Sequence, residues 1–387
     1  MIHIDSPENC CGCSACKSIC PKHAIYMEPD ALGFLYPKVD MEKCINCGLC
    51  EKVCAFNDHY DTSLNFDIPL AFGVRHKDMK EVESSRSGAA FIALSDWVLE
   101  HGGSVYGAGY VGHFRVAHKR ATTKEERNEF KGSKYVQSDP GKTFELVKND
   151  LKNGLIVMYS GTACQIAGLK AFVGPKLLDN LFLVDIVCHG VPSPYIWKDY
   201  IAYVEKKYGS QVVAVNFRDK SKIGWCQHKE SISFANGKRI LSYDYTYLFY
   251  QHIALRKSCA TCFFCNTKRP SDVTLADFWG WEKTNPEINK DDKGVSLVLI
   301  NTPKGKKIFD DVSRNIEFFT AKLENVLQPN LLHPTKFHYM RPQFEKDYSS
   351  KGFVFVGKRY GSLGIIYRTK NIIQRIKNKC IRLALRK

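Results

Sequence analysis

Cys10-Cys11-Gly12-Cys13-Ser14-Ala15-Cys16-Lys17-Ser18-Ile19-Cys20-Pro21 sets four cysteines in the spacing C-x2-C-x2-C-x3-C. Cys44, Cys47, Cys50 and Cys54 repeat it, with Ala55 where the first run has Pro21. The two runs are an internal duplication. Of sixteen cysteines in the 387 residues, nine fall before residue 55. A chain this long does not need disulfides to build a core, and clustered thiols in a reducing compartment point to metal or redox chemistry.

The spacing is that of ferredoxin-type [4Fe–4S] ligation, in which the fourth cysteine of each run serves the other cluster. A tight loop with a thiolate at every third residue wraps three irons of a cubane. Cys10, Cys13, Cys16 and Cys54 are therefore assigned to one cluster, and Cys20, Cys44, Cys47 and Cys50 to the other. Gly12 and Gly48 relieve crowding where the backbone passes close to a cluster. Zinc is the alternative, but it favours two separated pairs of ligands. Cys11 is left over, as a bystander or an exchangeable ligand.

Hydrophobic residues make up 44% and charged residues 25% of the chain, ordinary for a folded protein of two or three domains. No apolar run approaches the ~18 residues of a membrane span, and Met1-Ile2-His3-Ile4-Asp5 lacks the basic and apolar regions of a leader. The expected location is the cytoplasm. The net charge of +16 is concentrated at one end: residues 351–387 hold eleven Lys and Arg and no Asp or Glu. With no recognition motif beside it, this excess does not indicate nucleic-acid binding.

After an irregular stretch ending at Pro69, strands are expected at Leu70–Arg75, Ser104–Tyr110, Leu155–Tyr159 and Leu181–Val187. Helices are expected at Phe91–Glu100, Thr122–Phe130, Thr143–Asn153 and from Cys164 to about Ala171. Strand, tight turn, helix and strand in succession read as α/β. Val212–Arg218, Glu230–Phe234 and Arg239–Ser242 read as antiparallel strands. The fold class is thus α/β, shading to α+β, behind a small ferredoxin-like domain with two [4Fe–4S] sites. The expected division is 1–60 for that domain, 61–70 for a linker, 71–350 for the body and 351–387 for a basic tail.

Cys164 and Cys188 each close a buried strand, where ligands collect in an open α/β sheet. Cys259 and Cys262 form a C-x2-C pair, with Cys265 beyond it. Cys164, Cys188, Cys259 and Cys262 are candidates for a third [4Fe–4S] cluster with Cys265 in reserve; inert packing of separated core cysteines is the alternative. Cys226 and Cys380 have no partners in sequence. Ser85-Arg86-Ser87-Gly88-Ala89 opens a helix whose free N–H groups suit a phosphate, and Lys131-Gly132-Ser133-Lys134-Tyr135 offers two cations and a ring. From the residues alone, the plainer readings are a capped helix for the first and a solvated charged turn for the second.

Together, Ser85–Ala90, Lys131–Ser138, Gly161–Gln165, Cys188–Pro194, Cys259–Cys262 and Asp272–Gly280 resemble the beta subunits of coenzyme F420 hydrogenases and dehydrogenases, over roughly residues 70–345. With the duplicated cysteine runs in front, the layout is similar to single-chain members with a fused ferredoxin domain. The resemblance implies a flavin, FAD or FMN, and a [4Fe–4S] cluster in the body. It raises Arg86, Ser87, Gly88, Lys131, Gly132, Ser133, Lys134 and Tyr135 to flavin-binding candidates. It does not imply F420 itself, because members act on different substrates, some on chlorophyll-type pigments, and some accompany surface-polysaccharide genes.

The function expected is an iron–sulfur flavoprotein oxidoreductase. Electrons would pass from ferredoxin or another redox protein, through three clusters and a flavin, to an unidentified organic substrate, or in reverse. His189 and Asp277, each at a strand end, are the candidate proton donors. The alternative is an electron-relay subunit serving a separate enzyme. In Asn371–Lys387, Ile372, Ile373, Ile376, Cys380 and Leu383 share one helical arc flanked by cations. Such a segment either docks on the body or lies on an anionic membrane at the inner face.

Overall fold

The computed structural model describes residues 1–57, 59–365, 367 and 369. Its strands are β1 (Ile25–Pro29), β2 (Leu35–Val39), β3 (Leu70–His76), β4 (Ser104–Val111), β5 (Arg115–Ala121), β6 (Val157–Thr162), β7 (Leu181–Ile186), β8 (Val212–Asn216), β9 (Glu230–Phe234), β10 (Arg239–Ser242), β11 (Val273–Asp277), β12 (Ser296–Ile300) and β13 (Ile316–Ala321). Eight form one mixed sheet, in the order β13-β3-β12-β11-β7-β6-β4-β5. β4, β6, β7 and β11 run parallel at its centre, and antiparallel strands close both sides.

Consecutive residues of β6 and β7 enter opposite cores. Met158, Phe182 and Val184 pack with the helices Ala90–Glu100 and Pro303–Val312. Val157, Tyr159, Leu181 and Leu183 pack with Thr143–Lys152 and Ala163–Val173. A sheet covered on both faces needs apolar side chains on both, which is why these strands read as continuous apolar runs rather than alternating ones.

The antiparallel strands β8, β9 and β10 form a separate three-stranded sheet. It shares a core with Pro194–Tyr208 and Arg341–Arg359, through Trp197, Tyr200, Ile232, Phe344, Phe353 and Val356. The helix Arg341–Arg359 crosses the boundary placed at residue 350, and Leu363 beyond it is also buried in this core. Residues 351–363 therefore belong to the body. The amphipathic stretch 371–387 lies outside the described residues. No helix among those described is long and apolar enough to cross a membrane.

The N-terminal domain is the hairpin β1–β2 with two short helices, Ala15–Ile19 and Leu49–Lys52. The duplication shows in its backbone. Gly12 and Asn46, two residues after the first cysteine of each run, have φ of 72° and 52°, and Ser14 and Gly48, just after the second, have φ of 65° and 73°. These left-handed pairs curl each loop around its thiols. The domain is set into the body: Ala15 joins one sheet core, and Leu32 and Phe34 join the core of the smaller sheet.

Residues 61–70, read as a linker, form no regular element before β3 yet are held to the body. Asp61 pairs with Lys170 at 3.0 Å, and Asn65 Nδ2 donates to the Arg269 carbonyl at 2.8 Å.

Candidate metal and cofactor centre

The parallel register puts the ends of β6, β7 and β11 side by side: Thr162 is opposite Ile186, and Leu275 is opposite Ile186 on the other flank. Two residues further on, these strands deliver Cys164, Cys188 and Asp277 to one edge of the sheet. The C-terminal edge of parallel strands is where open α/β sheets collect ligands.

Cys164 and Cys188 line one cavity there with Cys259, Cys262, Cys265 and Cys11. Arg256 and Arg269 also line it. Burial raises the Cys188 thiol and pushes the Cys259 thiol up to about 12. Donors face the sulfurs: the Val191 N–H points to Cys259 Sγ at 3.4 Å, the Gly190 N–H to Cys188 Sγ at 3.4 Å, and Thr162 Oγ1 lies 3.2 Å from Cys164 Sγ. The Cys11 thiol hydrogen-bonds both Cys13 and Cys164, a bridging position that nothing in its spacing announces. Cys265 hydrogen-bonds Cys262.

The N-terminal thiols fall into two sets. Cys20, Cys44, Cys47 and Cys50 line a second cavity, otherwise largely of small and apolar residues. The Ile2 N–H points to Cys50 Sγ at 3.1 Å and the Ala24 N–H to Cys20 Sγ at 3.3 Å. Cys10, Cys13, Cys16 and Cys54 are electrostatic neighbours of one another; burial is the main force raising Cys16, with the other three thiols adding to it. Among the described residues, no three His, Cys, Asp or Glu side chains converge on a single ion. A cubane instead asks one thiolate of each iron, in a setting of N–H donors. The donor sets fit that group.

Of the flavin candidates, few face an open site. A Cβ on Gly88 would stand 2.1 Å from the Val74 carbonyl and 2.7 Å from the Ser296 N, so Gly88 permits close packing on β3 and β12. Ser87 Oγ donates to the Val295 carbonyl at 2.6 Å. Lys131 Nζ is paired with Glu81 at 2.5 Å. Lys134 Nζ donates to the carbonyls of Glu129 and Lys131, and burial pushes its pKa down to about 7. Gly132 has open space and φ of 74°, beside Ser133.

Arg86 and Tyr135 belong instead to a cluster not legible in sequence. Arg218 pairs with Asp277 at 2.5 Å, and Arg86 lies 3.7 Å from the same carboxylate. Trp225 Nε1 donates to Asp277 Oδ1 at 3.3 Å, and Trp225 stacks on Trp279 with centroids 4.7 Å apart. The Tyr135 ring packs against Phe217, His228 and Phe249. Ser85 Oγ, Arg86 Nε and Nη1, and Arg218 Nε are buried without partners. Burial holds the Arg86 guanidinium down at about 10. Orphaned buried donors suit an anionic group, as a flavin phosphate would be.

Of the two proton-donor candidates, Asp277 has both oxygens engaged by two guanidinium groups and an indole, which casts it as an arginine clamp. His189 Nε2 lies 2.5 Å from His252 Nε2, and its ring packs on Phe249 and Tyr250. Burial pushes His189 down to about 4, so the ring is neutral at pH 7. His228, bonded through Nδ1 to Tyr250 OH at 2.6 Å, is pushed by burial to about 2. A continuous run of rings thus joins the residue after Cys188 to the arginine cluster.

Residues 156–325 match the family of coenzyme F420 hydrogenase/dehydrogenase beta subunits, C terminus, and residues 9–57 match the 4Fe-4S dicluster domain. Over 45 residues the chain is 47% identical to one component of the Na(+)-translocating ferredoxin:NAD(+) oxidoreductase complex of Acetobacterium woodii, covering 12% of each chain. Over 59 residues it is 39% identical to an iron-sulfur component of the CoB–CoM heterodisulfide reductase of Methanocaldococcus jannaschii, covering 12% of this chain and 9% of that one. These curated relatives are thus matched over about a tenth of their own length. A chain of the F420-reducing [NiFe] hydrogenase complex from Methanosarcina barkeri is similar with a TM-score of 0.46 and 19% identity, over 78% of this chain and 96% of that one. The chain thus joins a segment that matches a 4Fe-4S dicluster domain, residues 9–57, to a body whose residues 156–325 match the C-terminal part of coenzyme F420 hydrogenase/dehydrogenase beta subunits.

Proposed function

We propose that the chain is an iron–sulfur flavoprotein oxidoreductase that exchanges electrons with a ferredoxin-like protein and a two-electron organic substrate. The observation that carries this reading is the meeting, at one sheet edge, of a cavity lined by six cysteines and a cluster of rings and orphaned guanidinium donors. When bound, [4Fe–4S] clusters exchange single electrons and a flavin exchanges one or two, so the pair couples one-electron to two-electron chemistry.

Cys10, Cys13, Cys16 and Cys54 would hold one cluster, Cys20, Cys44, Cys47 and Cys50 a second, and Cys164, Cys188, Cys259 and Cys262 a third. The N–H groups of Ile2, Ala24, Gly190 and Val191 stabilise negative charge on the sulfurs they face. Ser85, Arg86 and Arg218 would take the anionic part of the flavin, with Asp277 holding both guanidinium groups in place. His189, neutral and bonded to His252, is the ring placed to pass a proton beside the third thiol set.

The test compares flavin retention in anaerobically purified variants. Arg86→Gln and Arg218→Gln are expected to lose most of the bound flavin, whereas Lys134→Ala, whose ammonium serves backbone carbonyls, keeps it. Full flavin in both arginine variants would overturn this placement. A wild-type protein that holds iron but neither flavin nor activity toward a small molecule with an artificial donor would favour the electron-relay reading.

A further inference from the structure

Arg256 is fully buried and, among the described residues, makes no hydrogen bond to a carboxylate. Nε donates to the Cys10 carbonyl at 2.8 Å, Nη1 to Gln137 Oε1 at 3.0 Å and Nη2 to the Leu35 carbonyl at 2.9 Å. Nη2 also reaches Cys10 Sγ at 3.6 Å. The guanidinium lies over the Tyr36 ring, 4.2 Å from its centroid. The residue lines the body cavity as well, and its backbone N–H is bonded to the Val191 carbonyl, beside the Cys188 turn. The other acceptor, Gln137, donates through Nε2 to the Cys11 carbonyl at 2.9 Å. A Cβ on Gly12 would stand 2.8 Å from Arg256 Nη1, so the cysteine loop is shaped to admit this side chain.

A buried cation without a counter-charge is costly. The only anions that its contacts offer among the described residues are thiolates, those of Cys10 and, across the cavity wall, of the body set. Charge–charge interactions over a few ångströms are strong where water is excluded. Adding an electron to a cluster adds negative charge, which a nearby cation favours.

We propose that Arg256 is a positioning residue that fixes the Cys10–Gly12 turn to the body and raises the reduction potential of the centre bound by Cys10, Cys13, Cys16 and Cys54. The assignment rests on the reading of those cysteines as cluster ligands.

Full-length protein carrying Arg256→Gln or Arg256→Lys is compared with wild type by anaerobic potentiometric titration with dithionite, followed by EPR, with iron and sulfide assayed on the same samples. Arg256→Gln is expected to keep its iron and to shift one EPR signal to lower potential. Arg256→Lys, which keeps the charge, shifts it much less. An unchanged midpoint in a fully loaded Arg256→Gln protein overturns the proposal. Should that variant lose iron, Arg256→Lys decides: a loaded protein with a near-wild-type midpoint supports the role of the charge, and a large downward shift refutes it. Wild-type protein without iron would instead refute the cluster reading itself.

Discussion

Asp185 and Arg269 are both buried to within 1% of full enclosure and pair at 3.1 Å. Arg269 also donates to the Ile186 carbonyl at 3.1 Å and to that of Phe264, so it ties the loop after Cys262 to the end of β7. Burial raises the Asp185 carboxyl while Arg269 opposes that rise. Removing one member leaves an uncompensated buried charge, and Arg269→Met is expected to destabilise the fold by about 3–5 kcal/mol. The double variant Asp185→Leu/Arg269→Met regains most of the loss. Anaerobic urea unfolding of both checks this; equal losses in the single and double variants would contradict it. At this scale the two N-terminal cysteine runs were legible because their spacing is local, and residues 9–57 match a 4Fe-4S dicluster domain. The Arg86–Asp277–Arg218 clamp was not, because it joins three distant segments, and neither was the bridging place of Cys11, which depends on the docking of two domains.

Gly168, on the helix Ala163–Val173, is the contact that lets the N-terminal domain close on the body. A Cβ there would lie 2.7 Å from Cys13 Sγ and 3.0 Å from Cys13 Cβ, far inside ordinary contact. Gly168→Val is expected to push the first cysteine loop outward and to expose the irregular stretch 59–69. Limited proteolysis should then cut the variant there several-fold faster than wild type; equal rates would show that the loop accommodates the side chain. Most elements followed from apolar runs and glycine punctuation, with ends displaced by a few residues, as where β6 runs from Val157 to Thr162 rather than from Leu155. No element was assigned to β5, whose Arg115, Lys119 and Arg120 suit a sheet edge. β12 and β13 were also unassigned, and strand direction, which makes the sheet mixed, is not encoded in any local pattern.

Three sets of thiols lie in one molecule, one of them reaching the surface at exposed Cys47 and another standing at the sheet edge around half-buried Cys164 and Cys188. Cys11, Arg256 and Gly168 sit where the N-terminal domain meets the body, so this domain is a built-in part of the fold rather than a tethered module. The net charge of +16 told little of this, since much of it belongs to the chain beyond residue 350. Each thiol set is proposed to hold one [4Fe–4S] cluster. Iron and sulfide assays on anaerobically purified full-length protein, wild type and Cys188→Ser, test it most directly. Under the ligation argued here, wild type holds about twelve irons and Cys188→Ser about eight, with the N-terminal EPR signals intact. About eight irons in both proteins would contradict the account, leaving the body thiols as packing alone.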